Sequence, residues 1–176
     1  DVRTADELLD IYLDAVGANA SLLLNIPPDT HGRIAAPDCA SLTELGTKIQ
    51  QIFADSVTEK AAITADSAIA QHPITQAVDG MADTYWQAAY GQESDTITLN
   101  FPKPQKVSCV VLGEHLPTGQ RIESGEIWAD GSKASEFTVV GHKRICRFTP
   151  VDVQTLTIKI TASRTEPTLR LLEVYQ

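Results

Sequence analysis

Two stretches decide the fold: Ile97-Thr98-Leu99-Asn100-Phe101 and Leu156-Thr157-Ile158-Lys159-Ile160. Each alternates an apolar residue with a polar one. Successive side chains of a strand point to opposite faces, so the pattern describes a strand with one face on a core and one in water. Such alternation belongs to antiparallel sheets. Working outward, residues 107–112 form a more apolar run, and 125–128, 137–140, 145–148 and 169–175 are further short runs between Gly, Pro, Asp and Ser. Short strands with turn residues between them predict a sandwich or barrel. Residues 57–176 therefore read as an antiparallel β-sandwich of jelly-roll type, and the chain as mainly β.

Residues 1–56 have a different texture. Thr4-x-x-Glu7 fits a capping box, and Leu8, Leu9, Tyr12, Leu13 and Val16 recur at helical spacing. Gly17 is the expected stop, since glycine accepts the left-handed conformation that ends helices. Leu22-Leu23-Leu24-Asn25-Ile26 is apolar on both faces, as a strand inside a parallel sheet would be, and Pro27-Pro28 ends it. Pro37 suits the start of a second helix with an apolar stripe of Leu42, Leu45, Ile49, Ile52 and Phe53. This is one helix–strand–helix unit. A closed eight-fold barrel needs about 250 residues, and a lone unit cannot cover its strand on both faces, so residues 1–56 read as a remnant of something larger.

The 176 residues carry a net charge of -9, with an apolar share of 43%. The sequence pI is about 4.8 and the mean hydropathy is -0.09. An acidic chain without a basic stripe is repelled by phosphate backbones, so neither nucleic acid nor an anionic membrane is an expected partner. No apolar run approaches the ~18 residues of a membrane span. Asp1-Val2-Arg3-Thr4 lacks the basic-then-apolar character of a secretory signal. Cys39, Cys109 and Cys146 have no CxxC spacing, which argues against zinc. Cys109 and Cys146 lie in predicted strands and are read as buried thiols, with pairing open to them only if those strands are neighbours.

Two constellations carry chemistry. In Ala77-Val78-Asp79-Gly80 followed by Asp83-Thr84-Tyr85-Trp86, a sharp turn gathers side-chain oxygens, and Glu173 near the other terminus could close the set. Calcium takes six to eight oxygens at about 2.3–2.6 Å, and the alternative is an Asx turn holding no ion. The second set pairs aromatic faces with hydrogen-bond donors, as sugar sites require: His72, Tyr85, Trp86, Tyr90, His115 and Arg121. Of these, His72, Tyr90, His115 and Arg121 are the sugar-binding candidates. Trp86 and Trp128 are assigned to the core, and Lys143 and Arg144 to a solvated strand edge.

The Asp79-Gly80 turn, Thr84-x-Trp86, the 94–99 strand and Leu171-Leu172-Glu173-Val174-Tyr175 resemble the discoidin, or coagulation-factor type C, modules of galactose-binding-like fold. That resemblance implies a structural calcium held by Asp79, Thr84 and Glu173, with carbonyls near Ala77 and Ala82. A second resemblance spans nearly the whole chain. Ala15 to Asp29 with Gly32-Arg33-Ile34 and Leu42-Thr43-Glu44-Leu45-Gly46 resemble the last strand–helix unit of the catalytic barrel of the α-L-fucosidase family, which implies that residues 1–56 are a remnant of a (β/α) barrel. Gly119-Gln120-Arg121-Ile122 and Gly141-His142-Lys143-Arg144-Ile145 resemble that family's C-terminal β-domain. One departure is Asp130-Gly131, which continues as Ser132-Lys133 without the family's tryptophan. The resemblance implies partners of two kinds: fucosylated or galactose-containing glycans, and an upstream catalytic barrel of the same chain. It also implies a secreted or periplasmic protein. Retaining glycosidases use two carboxylates about 5–5.5 Å apart. No acidic pair here falls in the family's catalytic context, so no catalytic residue is assigned. Asp29, His31 and Arg33 follow the expected barrel strand, the end from which barrels build their active sites.

Overall fold

The computed structural model describes residues 2–176, so Asp1 and its part in the signal reading lie outside the described residues. Helix α1 spans Ala5–Val16. Its capping box forms as expected: the Glu7 amide donates to Thr4 Oγ1 at 3.3 Å, and the Thr4 amide donates to Glu7 Oε2 at 2.8 Å. Gly17 ends the helix for a different reason from the expected one. Its φ is -72°, a right-handed value, and the left-handed residue is Asn19 at φ 67°. What glycine supplies at 17 is space, because a Cβ there would stand 2.9 Å from Ile145 Cβ.

The predicted strand at 22–26 is absent. The segment is irregular, with Leu23 85% exposed, and its neighbourhood holds only an isolated bridge between Pro28 and Ile34. A strand exists only as part of a hydrogen-bonded ladder, and no described strand lies beside this one. Helix α2, Ala36–Ile52, has proline in its first turn. Leu45 of α2 is buried against Ala5 and Leu8 of α1, and Lys48 Nζ reaches Asp6 at 2.8 Å.

Eight strands follow: β1 Ala62–Ala65, β2 Trp86–Gln87, β3 Asp95–Gly113, β4 Ile122–Ala129, β5 Ser132–Phe137, β6 Arg144–Ser163, β7 Thr168–Leu169 and β8 Leu171–Tyr175. The long strands β3 and β6 run antiparallel, with a register shift between Asn100 and Gln105. Pro102 and Pro104 sit in that shift, where a missing ladder donor does least harm. On one side of the shift, β1, β3, β6, β4 and β5 lie in that order, and on the other β8 pairs with the far end of β3. A short β2–β7 pair completes the sandwich.

The alternation is realised as expected. Ile97, Leu99, Leu156 and Ile158 are fully buried, together with Trp86, Leu112, Ile127 and Leu172. Trp86 is a core residue whose indole N–H donates to the Ser67 carbonyl at 3.0 Å. Trp128 is not. It lies half-buried on the opposite sheet face, donating to Glu126 at 2.8 Å with Lys159 Nζ 4.1 Å from its ring centroid. The reason is its place in the alternation, between inward-facing Ile127 and Ala129. Nor do residues 137–140 form a strand. Phe137 instead ends β5, which an Asp130–Gly131 turn joins to β4 with φ 45° and 81°.

Cys109 and Cys146 sit on neighbouring strands, yet all three cysteines are free. Cys109 pairs with Arg147 and Val110 with Cys146, a one-residue offset that turns the two thiols to opposite sheet faces. Burial raises the Cys109 thiol to about 11 and the Cys146 thiol to about 12, so neither is a ready thiolate.

Helix α1 packs on the outer face of the sheet. Leu13 meets Cys109, Val111, Ile145 and Tyr175, while Phe53 meets Tyr175 edge-on at 5.3 Å. Backbone continues the joint: the Ile145 amide donates to the Gly17 carbonyl at 2.9 Å, and Ala18 bridges Arg144.

Candidate functional site

Three rings stack at one end of the sandwich. His72 lies parallel to Tyr85 at 3.9 Å and 20°, and Tyr85 to His115 at 3.8 Å and 9°. They come from the segment after β1, the turn before β2 and the segment after β3. Both faces of Tyr85 are thus covered by imidazoles, which removes it as a platform for a sugar. His72 Nδ1 stands 3.1 Å from Gln76 Oε1, an oxygen that only accepts, so the imidazole proton resides on Nδ1. His115 is different: its Nδ1 is buried without a partner. Burial, then the positive charge of His72, Arg121 and Arg170, lowers its proton affinity, against a weaker opposing effect of Asp83.

Arg121 is fixed beside this stack. Its Nη1 donates to the Glu166 carbonyl at 2.8 Å and its Nε to the Thr118 carbonyl at 3.4 Å, which sets the plane of the guanidinium. The Glu166 carboxylate accepts the Gly91 amide at 2.8 Å. That hydrogen bond, then one from Thr165, lowers the Glu166 carboxyl to about 2, so it is ionised at any ordinary pH. Glu166 therefore ties the Arg121 loop to the turn carrying Tyr90. Tyr90 itself is 77% exposed and is the aromatic with a free face at this end.

The sequence reading missed the residue that organises these loops. Glu114 is fully buried, and its carboxylate accepts backbone amides from Arg121 at 2.7 Å, Ile122 at 2.9 Å and Gly141 at 2.6 Å. Above it, Asn19 accepts the His142 amide at 2.6 Å and donates to Gln120 at 3.4 Å. The Asn19 amide occupies the place a Cβ on Gly141 would take, 2.1 Å from that position. Three strings far apart in sequence (Ala15 to Asn19, 119–122 and 141–145) thereby meet at one junction. A carboxylate one glycine beyond the apolar 107–112 run was the signal for Glu114.

The Asp79 turn lies elsewhere. Thr84 Oγ1 donates to the Asp79 carboxylate at 2.8 Å, and the Met81 amide donates to it at 2.9 Å, which is an Asx turn reinforced by a hydroxyl. Glu173 accepts the Tyr175 hydroxyl at 2.8 Å. Asp79 and Glu173 nevertheless line one cavity of about 420 Å³ with Ser56, Thr58 and Glu59. Among the described residues no three of His, Cys, Asp and Glu converge as a metal set. The polar side chains lining that cavity offer only oxygens, the class calcium takes, with Asp79 and Glu173 on its wall and Thr84 bonded to Asp79 beside it. Asp29 is also engaged in its own turn, accepting the His31 and Arg33 amides at 2.8 and 2.9 Å.

No family model matches the chain. Among curated proteins, α-L-fucosidase 1 of Arabidopsis thaliana is 29% identical over 98% of the chain. In a crystal structure from Bacteroides thetaiotaomicron assigned as an α-L-fucosidase, 99% of the chain superimposes with a TM-score of 0.94 at 27% identity. The chain is a homologue of part of the α-L-fucosidases. A GH29 fucosidase of Ruminococcus gnavus crystallised in complex with fucose matches 99% of the chain at a TM-score of 0.90 and 27% identity. The chain spans 36% of the length of the Arabidopsis protein and 40% and 37% of the two bacterial chains. The fold also recurs in a chitosan-binding module from a Paenibacillus chitosanase/glucanase, with a TM-score of 0.61 over 69% of this chain at 22% identity.

Proposed function

We propose that this chain is the accessory part of a protein that removes terminal α-L-fucose from glycans, and that the loop end of its sandwich holds the glycan. The observation that carries the reading is the match along 99% of the chain to a larger α-L-fucosidase-like structure, of which it spans 40%. On this reading hydrolysis belongs to a catalytic barrel of the same protein, and the chain supplies no catalytic carboxylate. Tyr90 offers an exposed ring for the apolar face of a hexose. Arg121, held in one plane by two carbonyls, and the second ring nitrogen of His115 offer donors to ring hydroxyls. The partner is a fucosylated or galactose-containing glycan. Handling such glycans goes with a secreted or periplasmic location.

Calorimetric titration of the chain with L-fucose, galactose and a fucosylated oligosaccharide tests this. Binding that weakens about tenfold in Tyr90→Ala supports the site, since aromatic contacts of this kind are worth roughly 0.5–1.5 kcal/mol. No heat with any of the three sugars at millimolar concentration would leave the sandwich as a buttress only. Calcium, on the same reading, is structural and sits at Asp79, Thr84 and Glu173. A melting temperature higher in calcium than in chelator would support it, and equal melts would remove it.

A further inference from the structure

We infer that the His72–Tyr85–His115 stack is an acid-released clamp on the loops that carry the glycan site, closed at neutral pH and opened when His115 takes up a proton. The geometry makes protonation and opening one event. A neutral imidazole has one donor and one acceptor nitrogen, and an imidazolium has two donors. His115 Nδ1 is buried with nothing to accept from it. An unpaired acceptor is tolerable there, so the neutral ring carries its proton on Nε2. A buried, unpartnered N–H⁺ is costly, and the ring must leave the stack to take the second proton.

The surroundings push the same way. His72 faces the stack from the segment after β1, Arg121 from the loop before β4 and Arg170 from between β7 and β8, and all three oppose a positive charge on His115. Asp83, from the turn before Tyr85, is the acidic group that opposes them. Tyr85 lies between the two imidazoles, and the adjacent Glu114 carboxylate is occupied by three backbone amides. Because burial depresses the proton affinity of His115 in the closed form, the clamp is at full strength above the ordinary imidazole value of about 6.5. That stability is lost as pH falls through the lower, folded-state value.

Opening has two consequences. It frees a face of Tyr85, and it loosens residues 115–121, which carry Arg121. The effect on glycan rests on the proposed function, and the clamp itself does not. Nitrogen NMR of the histidine rings, followed from about pH 8 to about pH 4.5, reads it directly. His115 is expected as the Nε2–H tautomer at neutral pH, titrating below the ordinary range, with Tyr85 ring protons shifting at the same midpoint. His115→Phe keeps three stacked rings but removes the proton that His115 takes, so the Tyr85 shift at the His115 midpoint should vanish in it. An ordinary His115 titration, or the same Tyr85 shift in His115→Phe, overturns the clamp. L-fucose affinity at the two ends of the range is expected to fall in acid. Equal affinity despite ring opening would overturn the gating. Sugar binding absent at every pH would overturn the glycan reading, and the ring titration would still decide the clamp.

Discussion

Leu99 and Leu23 are the same residue with opposite fates: one is 0% exposed in the sandwich core and the other 85% exposed in the segment after α1. Around Leu99 the chain supplies its own partners, since β1 pairs on one side of β3 and β6 on the other. Around Leu23 no described strand does so. Apolarity alone therefore does not make a strand. It makes one only where a neighbour within reach closes the ladder, because unpaired backbone groups cannot be left in a core. The sandwich is locally self-sufficient, whereas the helical segment is held by what it touches on the sandwich: Leu13 on the sheet face and Asn19 on the loop junction.

The contrast can be broken by substitution. Leu99→Ala is expected to cost the most, about 3–4 kcal/mol, as burial without room to collapse does. A loss under about 1 kcal/mol by chemical denaturation would show that the core is loosely packed. Glu114→Gln comes next, at about 2–3 kcal/mol. One carboxylate oxygen is replaced by an NH₂ facing buried amides, and a buried N–H left unpaired costs roughly 1–3 kcal/mol. Amide exchange should quicken at Arg121, Ile122 and Gly141 specifically. Unchanged protection there would mean that the three bonds do not hold the loops.

Asp95 should give a smaller, pH-dependent effect. It is 7% exposed, Ser67 Oγ donates to one of its oxygens, and the other is buried without a partner. Burial, partly offset by Ser67, raises its carboxyl above the ordinary range. A raised carboxyl favours the folded state at low pH, and that advantage is lost as pH rises through the folded-state value. Asp95→Asn should therefore melt higher than the parent near neutral pH, with the gap closing towards about pH 4. A gap that widens in acid would reverse the assignment. Least affected should be Leu23→Ala, within about 0.5 kcal/mol as for other surface changes. A loss comparable to that of Leu99→Ala would mean that the segment is buried in solution.

The sandwich was legible where strands alternate, as in β3 and β6, and at the α1 capping box. Strand β5 was hidden because Ser132-Lys133-Ala134-Ser135-Glu136 is an edge strand, polar on both faces, and edges carry charge rather than alternation. The strand expected at 22–26 failed because local pattern does not report whether a partner exists. At the loop end, His72, His115 and Arg121 could each be named from composition. Their arrangement could not, because Tyr85 joins residues from segments far apart in the chain, and the same long-range closure hid Glu114 and Glu166.

Backbone NMR of the chain during titration with a fucosylated oligosaccharide tests the central claim most directly. The account predicts shifts at His72, at Tyr90 and Gly91, along 115–121 and at Glu166, with the 22–26 segment silent. Shifts confined to that segment, or none at saturating sugar, would contradict it.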